Sequence, residues 1–135
     1  MSGFKESVKA TTAPSGRGPY PQALRVGPLV FVSGQGPLDP LENRPKGGSF
    51  EEQVQLTFRN VKAILAAAGL SLADVVKVTV YLSDLARVPE FNVLYTQHMP
   101  EPWPARTLVQ AGLRNIDVEL DVIAADRKHP LFNVA

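Results

Sequence analysis

The sequence predicts an α+β fold in which a mixed sheet carries two helices on one face. Two observations predict it. Residues 76–82 and 118–124 alternate apolar and polar side chains with period two, the mark of half-buried strands. Between and before them, two stretches repeat apolar residues at helical spacing, and the first of these opens on a capping box. The order strand, helix, strand, helix, strand, strand puts both helices on the same side and leaves the other sheet face uncovered.

The elements follow in turn. Leu29, Val30, Phe31, Val32 and Ser33 form a short apolar run closed by Gly34 and Gly36, as expected of a buried strand that ends in a close backbone approach. Residues 36–48 carry Pro37, Pro40 and Pro45 and read as a loop. Ser49 and Glu52 make the capping box, Val54, Phe58, Val61, Leu65 and Ala68 recur at helical spacing, and Gly69 supplies the stop. In residues 76–82, Val76, Val78, Val80 and Leu82 are expected on the core face, with Lys77, Thr79 and Tyr81 opposite. A second helix is expected over residues 88–99, with Pro89 in its first turn and Phe91, Leu94, Tyr95 and Met99 as a core stripe. A strand then opens at Arg106 behind Pro102 and Pro104. In the final strand Val118, Leu120 and Val122 face inward, while Asp117, Glu119 and Asp121 share the other face. That acidic face is either wetted by solvent, or the lining of a cavity or subunit interface. A closed cyclic oligomer would cover it.

Composition narrows the function. The 135 residues suit one domain spanning 1–135. Fourteen Lys and Arg against thirteen Asp and Glu leave a net charge of +1, which gives little drive for phosphate binding, so no nucleic-acid partner is expected. Without cysteine there is no disulfide, thiolate metal site or cysteine nucleophile. His98 and His129 stand too far apart in sequence for a histidine-based metal motif, and no metal or other cofactor is expected. MSGFKESVKA lacks the layout of a signal peptide, and no apolar run approaches the ~20 residues of a membrane span. A soluble, cytoplasmic protein without a membrane partner is expected.

No Ser-His-Asp set, GxSxG elbow, Walker loop or dinucleotide fingerprint is present. Gly16-Arg17-Gly18 and Gly34-Gln35-Gly36 read as turns. What remains is Arg106, whose planar fork suits bidentate capture of a carboxylate but which at a strand mouth also serves as a solvated cap, together with Glu119, Tyr20, Gln35 and Asn92. Spacing alone does not bring them together.

Four ordered motifs add to this reading. GPYPQA at residues 18–23, VSGQGPLDP at 32–40, NVKAILAAAGLSLADVVKVTVYLSDL at 60–85 and PAR at 104–106 resemble the RidA (YjgF) family over residues 12–126. The resemblance implies a chorismate-mutase-like fold, a homotrimer whose sheets form a central barrel, and three clefts between subunits. It implies cofactor-free hydrolysis of reactive enamines and imines, such as 2-aminoacrylate and 2-iminobutanoate, to 2-keto acids and ammonia. By the same matching, Arg106 grips the substrate carboxylate, Glu119 places the attacking water, and Tyr20, Gly34 and Asn92 line the cleft. Three departures stand out: Leu108 where many relatives have cysteine, Thr107 in place of a smaller residue, and a turn at residues 113–116 about two residues shorter than usual by an alignment of ordinary precision. The shorter turn leaves Asp121 as the alternative to Glu119. Besides the deaminase, two further functions stay open: a trimeric small-molecule binder or holdase without turnover, and a ribonuclease or translation inhibitor.

Overall fold

The computed structural model describes residues 3–133, so the outermost ends of the expected 1–135 domain lie outside the described residues. Six strands and two helices follow one another as β1 (Glu6–Val8), β2 (Ala23–Val26), β3 (Leu29–Gln35), α1 (Phe50–Ala67), β4 (Val75–Leu82), α2 (Val88–His98), β5 (Ala105–Gln110) and β6 (Val118–Ala125). The strands make one sheet in the order β1-β2-β3-β6-β4-β5. Only β4 and β5 run parallel; every other neighbouring pair is antiparallel, which makes the sheet mixed.

Helix α1 is closed by specific signals at both ends. Ser49 Oγ accepts from the Glu52 N–H, and Glu52 Oε1 accepts from the Ser49 N–H, so the capping box closes in both directions. Gly69 ends the helix at φ +78°, a left-handed angle that only glycine adopts without cost. Val54, Phe58, Val61, Ile64 and Leu65 are buried against Val30, Val32, Val78, Val80, Leu82, Val118, Leu120 and Val122 of the sheet. From α2 the same core receives Phe91, Leu94, Tyr95 and Met99. Both helices therefore lie on one face, as the pattern predicts.

Three expectations are corrected. Strands β1 and β2 were absent from the expected order, because three and four residues are too few to show a period, and β2 carries Arg25 in its middle. That arginine is held by the sheet's surroundings: it donates to the Ala68 carbonyl and pairs with Asp126 at 3.5 Å. Next, Val76 does not join the core. A register shift between Val75 and Lys77 turns it outward to 48% exposure, and Val75 takes the buried place at 6%. Finally, Asp117 leaves the acidic face. It precedes β6, and its carboxylate accepts from Ser83 Oγ at 2.7 Å and from Gln53 Nε2 of α1 at 2.9 Å.

The register fixes which side chains share the uncovered face. Tyr81 stands opposite Glu119 and Thr79 opposite Asp121 across β4 and β6, and Thr79 and Tyr81 pair with Thr107 and Val109 of β5. At the sheet's edge, every β5 residue except Leu108 is exposed.

Candidate functional site

On the uncovered face, β3 passes Glu119 at Gly34. A β-carbon built on Gly34 would stand 3.1 Å from the Glu119 Cδ and closer still to its Oε2, so any other residue here would have to displace this carboxylate from its present position. A register shift between Val32 and Gln35 places the glycine there. Burial, and then the neighbouring Asp121 charge, push the Glu119 carboxyl above its ordinary range, and no hydrogen bond offsets them. Asp121 accepts a 2.8 Å hydrogen bond from the Tyr81 hydroxyl. That bond, then burial, raises the Tyr81 pKa in turn. Both acids weighed from the sequence are half-buried; Asp121 is engaged by Tyr81, whereas Glu119 is the one whose protonation the site favours.

Tyr20 lies beside this patch. Its ring rests on Gly16 and Gly18: a β-carbon on Gly18 would meet Tyr20 Cε2 at 2.7 Å, which explains both glycines of GRGPY. Tyr20 and Gly34 line one small recess with Gln35 and Gly36. Gln22 anchors the segment before it, accepting from the Ala10 N–H at 2.7 Å and donating to the carbonyls of Ala10, Ala13 and Pro14. Asn60 of α1 donates to the carbonyls of Gly36 and Leu38, both at 3.0 Å, and so pins the loop that follows Gly34. The short turn abuts the same place, since Ile116 Cδ1 would lie 2.9 Å from a β-carbon on Gly36.

Arg106 lies elsewhere. Its register partner is Val78, a core residue, so its side chain leaves β5 on the helix side, opposite to Glu119. There it borders an open cleft of about 370 Å³ lined by Asn92, Tyr95, Thr96, Trp103, Pro104 and Arg106. The guanidinium carbon sits 4.9 Å from the Tyr95 ring centre and 5.8 Å from that of Phe91. Thr107 points to the uncovered face and accepts a 2.9 Å hydrogen bond from Lys77 Nζ, while Leu108 is half-buried against the core.

Within one chain the five candidate residues thus form two groups, Tyr20, Gly34 and Glu119 in one, Asn92 and Arg106 in the other, separated by the sheet. The first offers a carboxyl group suited to exchanging protons, the second a cation suited to holding an anion. No group of three or more His, Asp or Glu side chains that could hold a metal ion occurs among the described residues. Nor is any helix among them long and apolar enough to cross a membrane. Sequence reasoning gave Gln22 and Asn60 no role, since no motif marks a buried amide. Tyr95 it read as core alone, because its spacing is that of the stripe; the structure makes it core and cleft wall at once.

Comparison with known proteins agrees with this architecture. A family model described as Endoribonuclease L-PSP matches residues 10–126. The chain is 42% identical over 122 residues to a RutC family protein of Pyrococcus abyssi, covering 89% of this chain and 96% of that one. It is 37% identical over 124 residues to the Escherichia coli protein named "Putative reactive intermediate deaminase TdcF", covering 90% and 95%. Among solved structures, RidA from an Antarctic Psychrobacter superposes with a TM-score of 0.84 at 38% identity, covering 89% of this chain and 98% of that one. E. coli TdcF with bound serine superposes at 0.81 with 34% identity, covering 89% and 98%.

Proposed function

Because this chain belongs to the endoribonuclease L-PSP family, the family of RidA and TdcF, we propose that it hydrolyses reactive enamines and imines of the 2-aminoacrylate and 2-iminobutanoate type to 2-keto acids and ammonia. The observation that carries this reading is the unneutralised Glu119 carboxyl held against Gly34, its proton affinity raised by burial and by Asp121.

An enamine first tautomerises to its imine. Arg106 then holds the substrate carboxylate by two parallel N–H···O bonds, which fixes the C=N carbon relative to the protein. Glu119 takes a proton from water as its oxygen attacks that carbon and delivers it to the imine nitrogen, which gives a carbinolamine. The same carboxylate then takes the carbinolamine hydroxyl proton and passes it to nitrogen, so that the C–N bond breaks, ammonia leaves and the C=O bond forms. Tyr20, Gly34 and Asn92 shape the walls. No covalent nucleophile is needed, since such imines already react with water and general acid–base assistance contributes about 10²–10⁴-fold.

The reaction needs both groups at one substrate, and one chain holds them on opposite faces. We therefore place the site between copies of a homotrimer, the β5 edge of one copy presenting Arg106 to the uncovered face of the next, in a cytoplasmic protein. The exposed β5 edge and the polar, half-buried uncovered face support that assembly.

The test is ammonia and keto-acid release from 2-iminobutanoate made in situ by a threonine dehydratase. Faster release by the intact protein that vanishes in Arg106→Ala is expected; unchanged release without and with the protein refutes the reading. A second reading, a small-molecule binder without turnover, is favoured by one feature: the residues of this chain that line the Arg106 cleft, Asn92, Tyr95, Thr96, Trp103 and Pro104, include no acid or base to activate water. It requires the intact protein to bind 2-oxobutanoate without accelerating imine hydrolysis, and Glu119→Gln to leave that binding unchanged. Ribonuclease activity ranks below both, since a net charge of +1 gives RNA little purchase.

A further inference from the structure

We infer that Tyr95 is a positioning residue for Arg106: its ring face holds the guanidinium flat at the cleft and leaves the N–H donors free for a ligand carboxylate. The inference rests on the reading of Arg106 as the carboxylate-binding group. An arginine side chain has several rotatable bonds, and a free one samples many rotamers, so capture of a carboxylate in one geometry requires that it be ordered beforehand. The usual device is an acidic partner. A partner of that kind would fill the fork and cancel the charge that the ligand needs.

Four of the other seven arginines are held in that way. The four ion pairs among the described residues belong to Arg25, Arg44, Arg87 and Arg127. Arg87 has both an ion pair and a ring, Phe50 at 4.8 Å, whereas Arg106 has no ion pair among the described residues and rests on two rings, Tyr95 at 4.9 Å and Phe91 at 5.8 Å. Stacking against a ring face uses none of the five N–H groups, which lie in the plane of the guanidinium.

The platform is itself rigid. Tyr95 is 5% exposed, meets the Phe58 ring edge to face at 6.2 Å, and lies 5.7 Å from Phe91. Both contacts belong to the fully buried core, so the core's packing fixes the height and tilt of the Tyr95 ring. The hydroxyl adds nothing to this: it is buried without a hydrogen-bond partner. The ring carries the role, and phenylalanine should fill it.

Two measurements test this on the whole protein. The first is the NMR signal of the Arg106 Nε–H, which needs neither ligand nor turnover. A signal displaced by ring current and persisting in Tyr95→Phe, but returned to the open-chain position in Tyr95→Leu, is expected. An unshifted, rapidly averaged signal in the unmodified protein overturns the inference whether or not Tyr95→Leu folds. The second is the steady-state hydrolysis of 2-iminobutanoate, with calorimetric binding of 2-oxobutanoate alongside. Tyr95→Leu should raise KM and Kd roughly tenfold while lowering kcat less, and Tyr95→Phe should restore both. A Tyr95→Leu protein that loses thermal stability but keeps KM and Kd shows a merely structural ring and overturns the inference. A protein that neither binds 2-oxobutanoate nor accelerates hydrolysis overturns the proposed function instead, and the NMR signal then still decides whether the ring orders Arg106.

Discussion

The two halves of the candidate site are held by opposite physics. Glu119 is placed where its charge is costly: half-buried, pressed against Gly34 and two residues from a second carboxylate on the same face. Arg106 is placed where its charge costs little, exposed at the sheet edge and resting on rings that do not neutralise it. A group that must gain and lose a proton is useful when its two forms are close in energy, whereas a group that must only bind is useful when its charge never changes. In the proposed hydrolysis neither half suffices alone, and within one chain the sheet keeps them apart.

Breaking the comparison at its largest point means removing one half at a time. Arg106→Ala and Glu119→Gln should each lower kcat/KM on 2-iminobutanoate by about 10²–10³-fold. If the halves meet between copies, mixing the two variants as unfolded chains and refolding them together should restore about a quarter of normal activity, because random cyclic assembly gives that share of sites both intact groups. Restoration to that level supports the intersubunit site. No restoration from a properly assembled mixture shows that both groups serve from one chain and refutes it.

A smaller effect is expected at Gly34. Its β-carbon position is taken by the Glu119 carboxylate, so Gly34→Ala must displace the acid without touching Arg106. Activity should fall about tenfold while calorimetric binding of 2-oxobutanoate, which reads the arginine half, changes little. Equal loss of both would mean that the halves are not separable. The collision involves the end of a flexible side chain, so little stability should be lost.

How much of this was legible in the sequence depended on whether a local pattern reported it. Helix α1 was, because the capping box and Gly69 act within a few residues of where they stand. The acidic alternation of Glu119 and Asp121 was also readable. What sequence could not give was the outward turn of Val76, which a register shift imposes, or the departure of Asp117 toward Gln53 and Ser83, which are 64 and 34 residues away along the chain. The separation of Arg106 from Glu119 was hidden for the same reason. It follows from the pairing of Arg106 with Val78 across a parallel ladder, and no periodicity in PWPARTLVQ states which strand will lie beside it. Tyr95 was seen but half understood, since helical spacing marks a buried ring and is silent on what lies above it.

The next effect is on stability. Because the folded protein raises the Glu119 pKa, folding takes up protons as the pH passes between the unfolded and folded values. The acid's favourable contribution is complete below the unfolded value, near 4.5, and is lost as pH rises through the folded value. Glu119→Gln should therefore be more stable than the unmodified protein at neutral pH, by under about 1 kcal/mol once solvent access is allowed for, and this gain should vanish below pH 4.5. Urea unfolding at pH 7 and pH 4 measures it. A variant that is less stable at pH 7 would show that the carboxylate has a stabilising partner in the assembled protein, contrary to the idea of an acid kept costly for use.

The smallest effect sharpens the comparison within the acidic half alone. Burial is the first cause of the raised Glu119 pKa and the Asp121 charge the second, so Asp121→Asn removes the lesser cause and leaves the greater. The asparagine carbonyl can still accept from the Tyr81 hydroxyl, which keeps the face packed as it is. Glu119 should then ionise at lower pH, and the acid limb of the kcat/KM profile should move downward while the plateau stays near its normal height. The profile is to be taken with the imine-generating enzyme in excess at every pH, so that only the difference between the two proteins is read. An acid limb that does not move would mean that Glu119 is not the group titrating there. A limb that moves upward would mean that the Asp121 charge had been favouring the reactive form, and the roles of the two acids would have to be exchanged.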